Sequence, residues 1–76
     1  MTTDQRYDDM MDKYINAIAS HVSNANAASN LRLELRMIER ARLLIQAYDM
    51  AFKDDDCKTP LSVCRIDGDW TLQVRV

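Results

Sequence analysis

Residues 61–76 have the sequence LSVCRIDGDWTLQVRV, in which apolar and polar side chains alternate on both sides of Asp67-Gly68. A period of two is typical of β-strands, and an Asp-Gly pair favours the type I′ turn of a two-residue hairpin. The sequence therefore predicts an antiparallel β-hairpin with strands over about 61–66 and 69–76.

The position of the turn predicts the register of this hairpin. It places Val63 opposite Leu72, whereas a shift by one residue would give Val63 a polar neighbour. We therefore expect the cross-strand pairs Ile66–Asp69, Arg65–Trp70, Cys64–Thr71, Val63–Leu72, Ser62–Gln73 and Leu61–Val74.

A lone hairpin is only marginally stable in water, so one of its faces has to pack on another element. We expect Trp70, Leu72, Val74 and Val76 to lie against helices. Both outer edges are expected to stay unpaired, with Arg75 as a charged gatekeeper on the final strand. Open edges of this kind accept a strand from a second copy of the chain or from a target protein.

Upstream of the hairpin, residues of about 28–53 predict a long amphipathic helix. Asn26, Ser29 and Asn30 each suit the capping position at its start. Its apolar residues cover about 200° of helical arc, more than one packing partner needs, so we expect a preceding helix and the hairpin to cover different sides. The arc contains Leu31, Leu33, Leu35, Met37, Ile38, Ala41, Leu44, Ile45, Tyr48, Ala51 and Phe52.

Residues of about 3–24 predict the preceding helix. Thr2 and Gln5 have the spacing of a capping box, and residues 23–26 favour a turn between antiparallel helices. The apolar positions that keep to one helical face are Tyr7, Met10, Met11, Tyr14, Ile15, Ile18, Val22 and Ala25. The predicted fold class is α+β: two long antiparallel amphipathic helices followed by a C-terminal two-stranded antiparallel β-hairpin, in a single domain of residues 1–76.

Two large apolar residues of the second helix fall outside its apolar arc. Leu43 and Met50 lie on the polar face, seven residues and therefore about two turns apart. Side chains on that face cannot be buried in the core that this chain forms by itself. We therefore expect Leu43 and Met50 to contact another molecule.

Arg32, Arg36 and Arg40 recur every four residues along one exposed side of the same helix. Guanidinium groups in such a row bind phosphates or the carboxylates of a protein. Glu39 lies within reach of Arg36 and Arg42, so ion pairs along the helix surface are the alternative interpretation. We predict a partner-binding role for the three arginines.

Asp54, Asp55 and Asp56 follow the second helix, where the negative end of the helix dipole disfavours acids. They therefore predict a loop that ends the helix. A calcium loop alternates its ligands and has a glycine at the bend, which this run lacks. With antiparallel helices, the run lies near Asp4, Asp8 and Asp9. That acidic end either imitates nucleic-acid phosphates towards a basic partner or keeps the protein soluble.

The residues that most often perform catalysis or bind metals are few. Cys57 and Cys64 are too few and too widely spaced for a zinc site, and His21 lies in another predicted element. The acidic run next to Cys57 raises the pKa of a thiol, which opposes nucleophilic use. We therefore expect no enzyme activity, no metal and no cofactor.

Composition narrows the class of protein further. A chain of 76 residues has a thin core, which favours association with a second copy or with a partner. The net charge of −2 opposes general polyanion binding, and one glycine excludes glycine-rich phosphate loops.

Apolar runs such as Leu43–Ile45 are too short to span a bilayer, and no signal peptide is evident. We expect a cytoplasmic protein with reduced thiols.

These patterns predict a non-enzymatic protein–protein interaction module that forms a homodimer and occupies a surface on a larger complex. In size, acidity and lack of catalytic motifs, the chain resembles the small inhibitors that phages and mobile elements encode against host defence, anti-CRISPR proteins among them. That resemblance implies an inhibitor acting in the host cytoplasm. The alternative is a small nucleic-acid-binding transcriptional regulator that uses the arginine row and the hairpin as a wing.

Overall fold

The computed structural model describes the backbone of residues 3–54 and 58–74, and the side chains from residue 9 onward within those ranges. Helix α1 spans Thr3–Asn26 and helix α2 spans Leu31–Ala51. Strands β1, Leu61–Ile66, and β2, Asp69–Val74, form a two-stranded antiparallel sheet. The predicted α+β order of two helices followed by a hairpin is therefore confirmed.

The hairpin has the predicted register at every pair, from Ile66–Asp69 next to the turn to Leu61–Val74 at the open end. Asp67 and Gly68 have φ angles of 52° and 88°, and positive φ at both central positions is the signature of a type I′ turn. Strand β2 ends at Val74, and the last two predicted strand positions, 75 and 76, lie outside the described residues.

Asn30 sets the start of α2, which settles the choice among the three predicted capping residues. Its backbone is extended, with φ −150°, and its side-chain oxygen accepts a hydrogen bond from Leu33 N at 3.0 Å. The helix ends at Ala51, and the Phe52 N–H still donates to Tyr48 O at 3.1 Å. It is therefore shorter at both ends than the predicted 28–53.

The core lies between α1, α2 and the inner face of the hairpin. Three aromatic rings pack together on one side of it, with the partly buried Tyr14 ring 6.1 Å from Tyr48 and 5.9 Å from Phe52 in edge-to-face geometry. The Tyr48 hydroxyl donates to Thr59 O at 2.7 Å, which fixes the segment that leads into β1. The buried apolar residues are Ile18, Val22, Ala25, Ile38, Ala41, Ile45, Tyr48, Phe52 and Leu61.

The hairpin covers less of the helices than the sequence predicts. Trp70 and Leu72 pack against the core as expected, but Val74 is 58% exposed. Leu31, Leu33 and Leu35 are 60%, 39% and 49% exposed, so the expectation that the whole apolar arc of α2 is covered is wrong for them. At 100° per residue they fall on the two flanks of the arc, while α1 and the hairpin both dock at its centre.

The outer edge of β2 is closed at one point by a side chain from α1. In a hairpin of this register, the main-chain groups of Trp70 point away from β1. The Asn26 amide occupies them: its Nδ2 donates to Trp70 O, and its Oδ1 accepts from Trp70 N, both at 2.8 Å. The expectation that both edges are unpaired is therefore wrong for β2 at Trp70, where a carboxamide takes the place of a neighbouring strand.

Replacing this amide tests its contribution. Asn26→Ala removes two hydrogen bonds between elements far apart in sequence, so we expect the free energy of unfolding to fall by about 1–2 kcal/mol. Urea denaturation followed by far-UV circular dichroism measures the change. Asn24→Ala, at an exposed position of the same helix, is the control and should change stability by less than about 0.5 kcal/mol. Equal effects of the two substitutions would show that the amide contributes nothing.

Candidate functional site

The structure brings five of the predicted partner-binding residues onto one surface of α2. Arg32, Arg36, Arg40, Leu43 and Met50 fall within about 80° of helical arc at 100° per residue, and all five are exposed. Leu43 and Met50 are 56% and 76% exposed, which is unusual for large apolar side chains. We call these five residues the outer face of α2.

The arginines of the outer face are not held in ion pairs within the described part of the chain. The ion pairs formed there join Lys58 to Asp49 at 3.3 Å and Arg65 to Glu34 at 4.0 Å. Glu39 is exposed and forms no such pair among these residues, so the alternative of a salt-bridged helix surface is not what the structure contains. Three guanidinium groups therefore remain able to bind an external acid.

Arg42, which the sequence places within reach of Glu39, has a different role. Its guanidinium lies 5.8 Å from the centre of the Trp70 ring, and the guanidinium of Arg65 lies at the same distance. The Trp70 indole N–H donates to Glu34 Oε1 at 2.8 Å. These contacts fix the hairpin on α2, so Trp70 and Arg42 both contribute to the fold.

A second surface was not among the predicted sites. Met10, Lys13, Tyr14, Ala17 and Leu44 line an open groove of about 280 Å³ between α1 and α2. No residue of the hairpin contributes to it. Met10 and Tyr14 belong to the apolar face predicted for α1 and Leu44 to the apolar arc predicted for α2, but only the position of the hairpin shows that this groove is left uncovered.

Another open groove of about 290 Å³ follows the outer side of β1. Its lining consists of Arg42, Ile45, Gln46, Leu61, Ser62 and Val63. The described residues of its lining include neither a thiol nor an imidazole nor a carboxylate. These residues provide contact surface beside a strand edge, and none of them forms a nucleophile with an adjacent base.

The histidine and the cysteines are not brought together as a reactive group in the described part of the chain. His21 lies on α1, and its Nδ1 is enclosed without a hydrogen-bond partner among the described residues. The Cys64 thiol on β1 donates to Gln73 Oε1 at 3.0 Å, and Cys57 lies outside the described residues. Residues 3–54 and 58–74 place no three His, Cys, Asp or Glu side chains together as metal ligands.

The predicted acidic end is described only in part. Asp54 is exposed in the turn after α2, and Asp9 is exposed on α1. Asp55 and Asp56 lie outside the described residues, as do the side chains of Asp4 and Asp8. A joint acidic surface therefore stays a prediction.

No family model matches this chain, and no curated protein or solved structure shows significant similarity to it. Within residues 3–54 and 58–74, neither helix combines the length and the apolar character needed to cross a bilayer.

Stability measurements separate the residues that hold the fold from those available for binding. Glu34→Ala removes the acceptor of the Trp70 indole, so we expect it to lower the free energy of unfolding by about 1–2 kcal/mol. Arg36→Ala, two residues away on the exposed side, should change it by less than about 0.5 kcal/mol. Urea unfolding curves of both variants provide the comparison. A large loss in Arg36→Ala would mean that the outer face is part of the fold's own support.

Proposed function

We propose that this chain is a non-enzymatic protein-binding module, and that the outer face of α2 docks onto an acidic surface of another protein. The observation that carries the proposal is the combination of three arginines without ion pairs in the described structure and two highly exposed apolar side chains on one helix surface.

Both parts of this face favour a protein as the partner. Arginine and methionine are enriched in protein interfaces, and arginine pairs with carboxylates through two parallel hydrogen bonds. Burying a side chain such as Leu43 or Met50 contributes about 1.5–3 kcal/mol. The arginines then supply orientation and selectivity for an acidic surface, while the apolar pair supplies affinity.

The partner can be proposed more specifically. We propose an inhibitor, encoded by a phage or a mobile element, that occupies a surface of a host complex such as a CRISPR-type defence system in the host cytoplasm. Its support is the length of 76 residues, the acidic composition and the resemblance to small inhibitors noted above. Inhibition by occupancy requires no catalytic group, which agrees with a surface built only from binding residues.

A nucleic-acid-binding regulator is the second candidate, and the row of arginines is the observation that favours it. Phosphates accept from guanidinium groups as readily as carboxylates do. Leu43 and Met50 lie on the same side of the helix as the row, however. The turn of the proposed wing also presents Asp67 and Asp69, which are both exposed and repel phosphates. The protein partner is therefore the better supported of the two.

Affinity capture from the native host, with partners quantified by mass spectrometry, tests the leading proposal. We expect Leu43→Ser and Met50→Ser each to reduce the recovered partner about tenfold, because each removes an apolar contact. Leu31→Ser is the matched control, since Leu31 is 60% exposed on the same helix but outside the outer face. Equal recovery with all three variants would exclude the outer face of α2 as the docking surface.

Titration of duplex DNA at two salt concentrations separates the two candidates. A regulator that neutralises phosphates loses affinity steeply as salt rises, and Arg36→Glu should weaken it further. For a protein-binding module we expect no salt-dependent DNA binding by the unmodified chain. Tight, salt-sensitive binding that Arg36→Glu abolishes would favour the regulator and contradict the leading proposal.

A further inference from the structure

The helix pair has an apolar face on the side away from the hairpin. On α2, Leu33, Met37 and Leu44 fall within about 40° of arc, whereas Arg42 and Gln46, which line the groove beside β1, lie on the opposite side. On α1 the same face contains Met10, Tyr14 and Ala17, which share a groove with Leu44. We call this surface the open face; its residues are Met10, Tyr14, Ala17, Leu33, Met37 and Leu44.

We propose that a second copy of this chain covers the open face, so that two helix pairs pack together as a symmetric dimer with a hairpin on each outer side. On α2 this surface adjoins the outer face, since Leu33 lies about 20° of helical arc from Arg40. The two proposals use different residues, so substitutions in the open face and substitutions at Leu43 or Met50 test them separately.

The open face is complementary to itself. At one end Leu33 projects with 39% of its surface exposed, and at the other end the groove around Ala17 offers about 280 Å³. Leu33 and Leu44 are eleven residues apart, or roughly 16 Å along the helix. A two-fold axis can lie in the interface at right angles to α2, at the level midway between Met37 and Ala41. Rotation about this axis brings Leu33 of each copy to the groove of the other. Such reciprocal contacts are typical of two-fold interfaces.

The chemistry of the groove also suits a second copy. Of its described lining residues only Lys13 is charged, so packing a second copy against them desolvates little charge. A four-helix interface also enlarges a core that is thin in a chain of this length.

Analytical ultracentrifugation of the full chain over a wide concentration range tests the dimer. We expect the unmodified chain to sediment at twice its mass of 8.8 kDa. Leu33→Glu should weaken dimerisation roughly 100-fold, because symmetry applies the loss of one buried leucine twice. Leu35→Glu is the matched control: Leu35 is 49% exposed on the other flank of α2, and its variant should remain dimeric. Circular dichroism establishes that both variants keep their helices.

Each remaining outcome also decides the matter. If Leu33→Glu loses helical structure, Met10→Glu replaces it, since Met10 is 51% exposed at the far end of the open face. Dissociation by Met10→Glu supports the dimer, and its persistence contradicts it. An unmodified chain that is monomeric at every concentration overturns the proposal. Dissociation by Leu35→Glu with no effect of Leu33→Glu overturns it as well, because the copies would then meet beside β1. Partner capture through Leu43 and Met50 reports separately on the proposed function.

Discussion

The fold depends on burying one side of α2 against two partners at once. Ile38 and Ala41 are almost fully enclosed at the centre of that side, and Tyr48 links it to the segment before β1 through its hydroxyl. Since α1 and the hairpin converge on the same part of the helix, little structure is left to cover its flanks. The exposed leucines, the outer face of α2 and the open face all follow from this arrangement.

Local chemistry was sufficient to predict the hairpin and the helices. Asp67-Gly68 permits positive φ at both turn positions, so the register followed from the turn, and the α+β order followed from the hydrophobic periods. The exact start of α2 could not be chosen from sequence, because Asn26, Ser29 and Asn30 have equivalent capping chemistry. Asn26 instead binds Trp70, a contact between residues 44 positions apart that no local pattern indicates.

The candidate surfaces were also predictable to different degrees, because local patterns do not reveal contacts between distant elements. Helical spacing gives the angle of each residue around α2, which placed the arginine row and Leu43 on one surface. It does not give the direction from which other elements dock, so the open face was missed and Leu33 was expected to be covered by α1 or the hairpin. The pairing of Arg42 with the Trp70 ring, and not with Glu39, likewise depends on where the hairpin lies.

The two hydrogen bonds between the Asn26 amide and the Trp70 main chain limit how these molecules can polymerise. A β-sheet with two unpaired edges can be extended indefinitely by further strands, as in an amyloid fibril. In this chain an incoming strand would have to displace the carboxamide before it could lie along β2. The carboxamide thus obstructs strand addition at the Trp70 end of β2, and with it the unlimited extension that requires both edges of the hairpin.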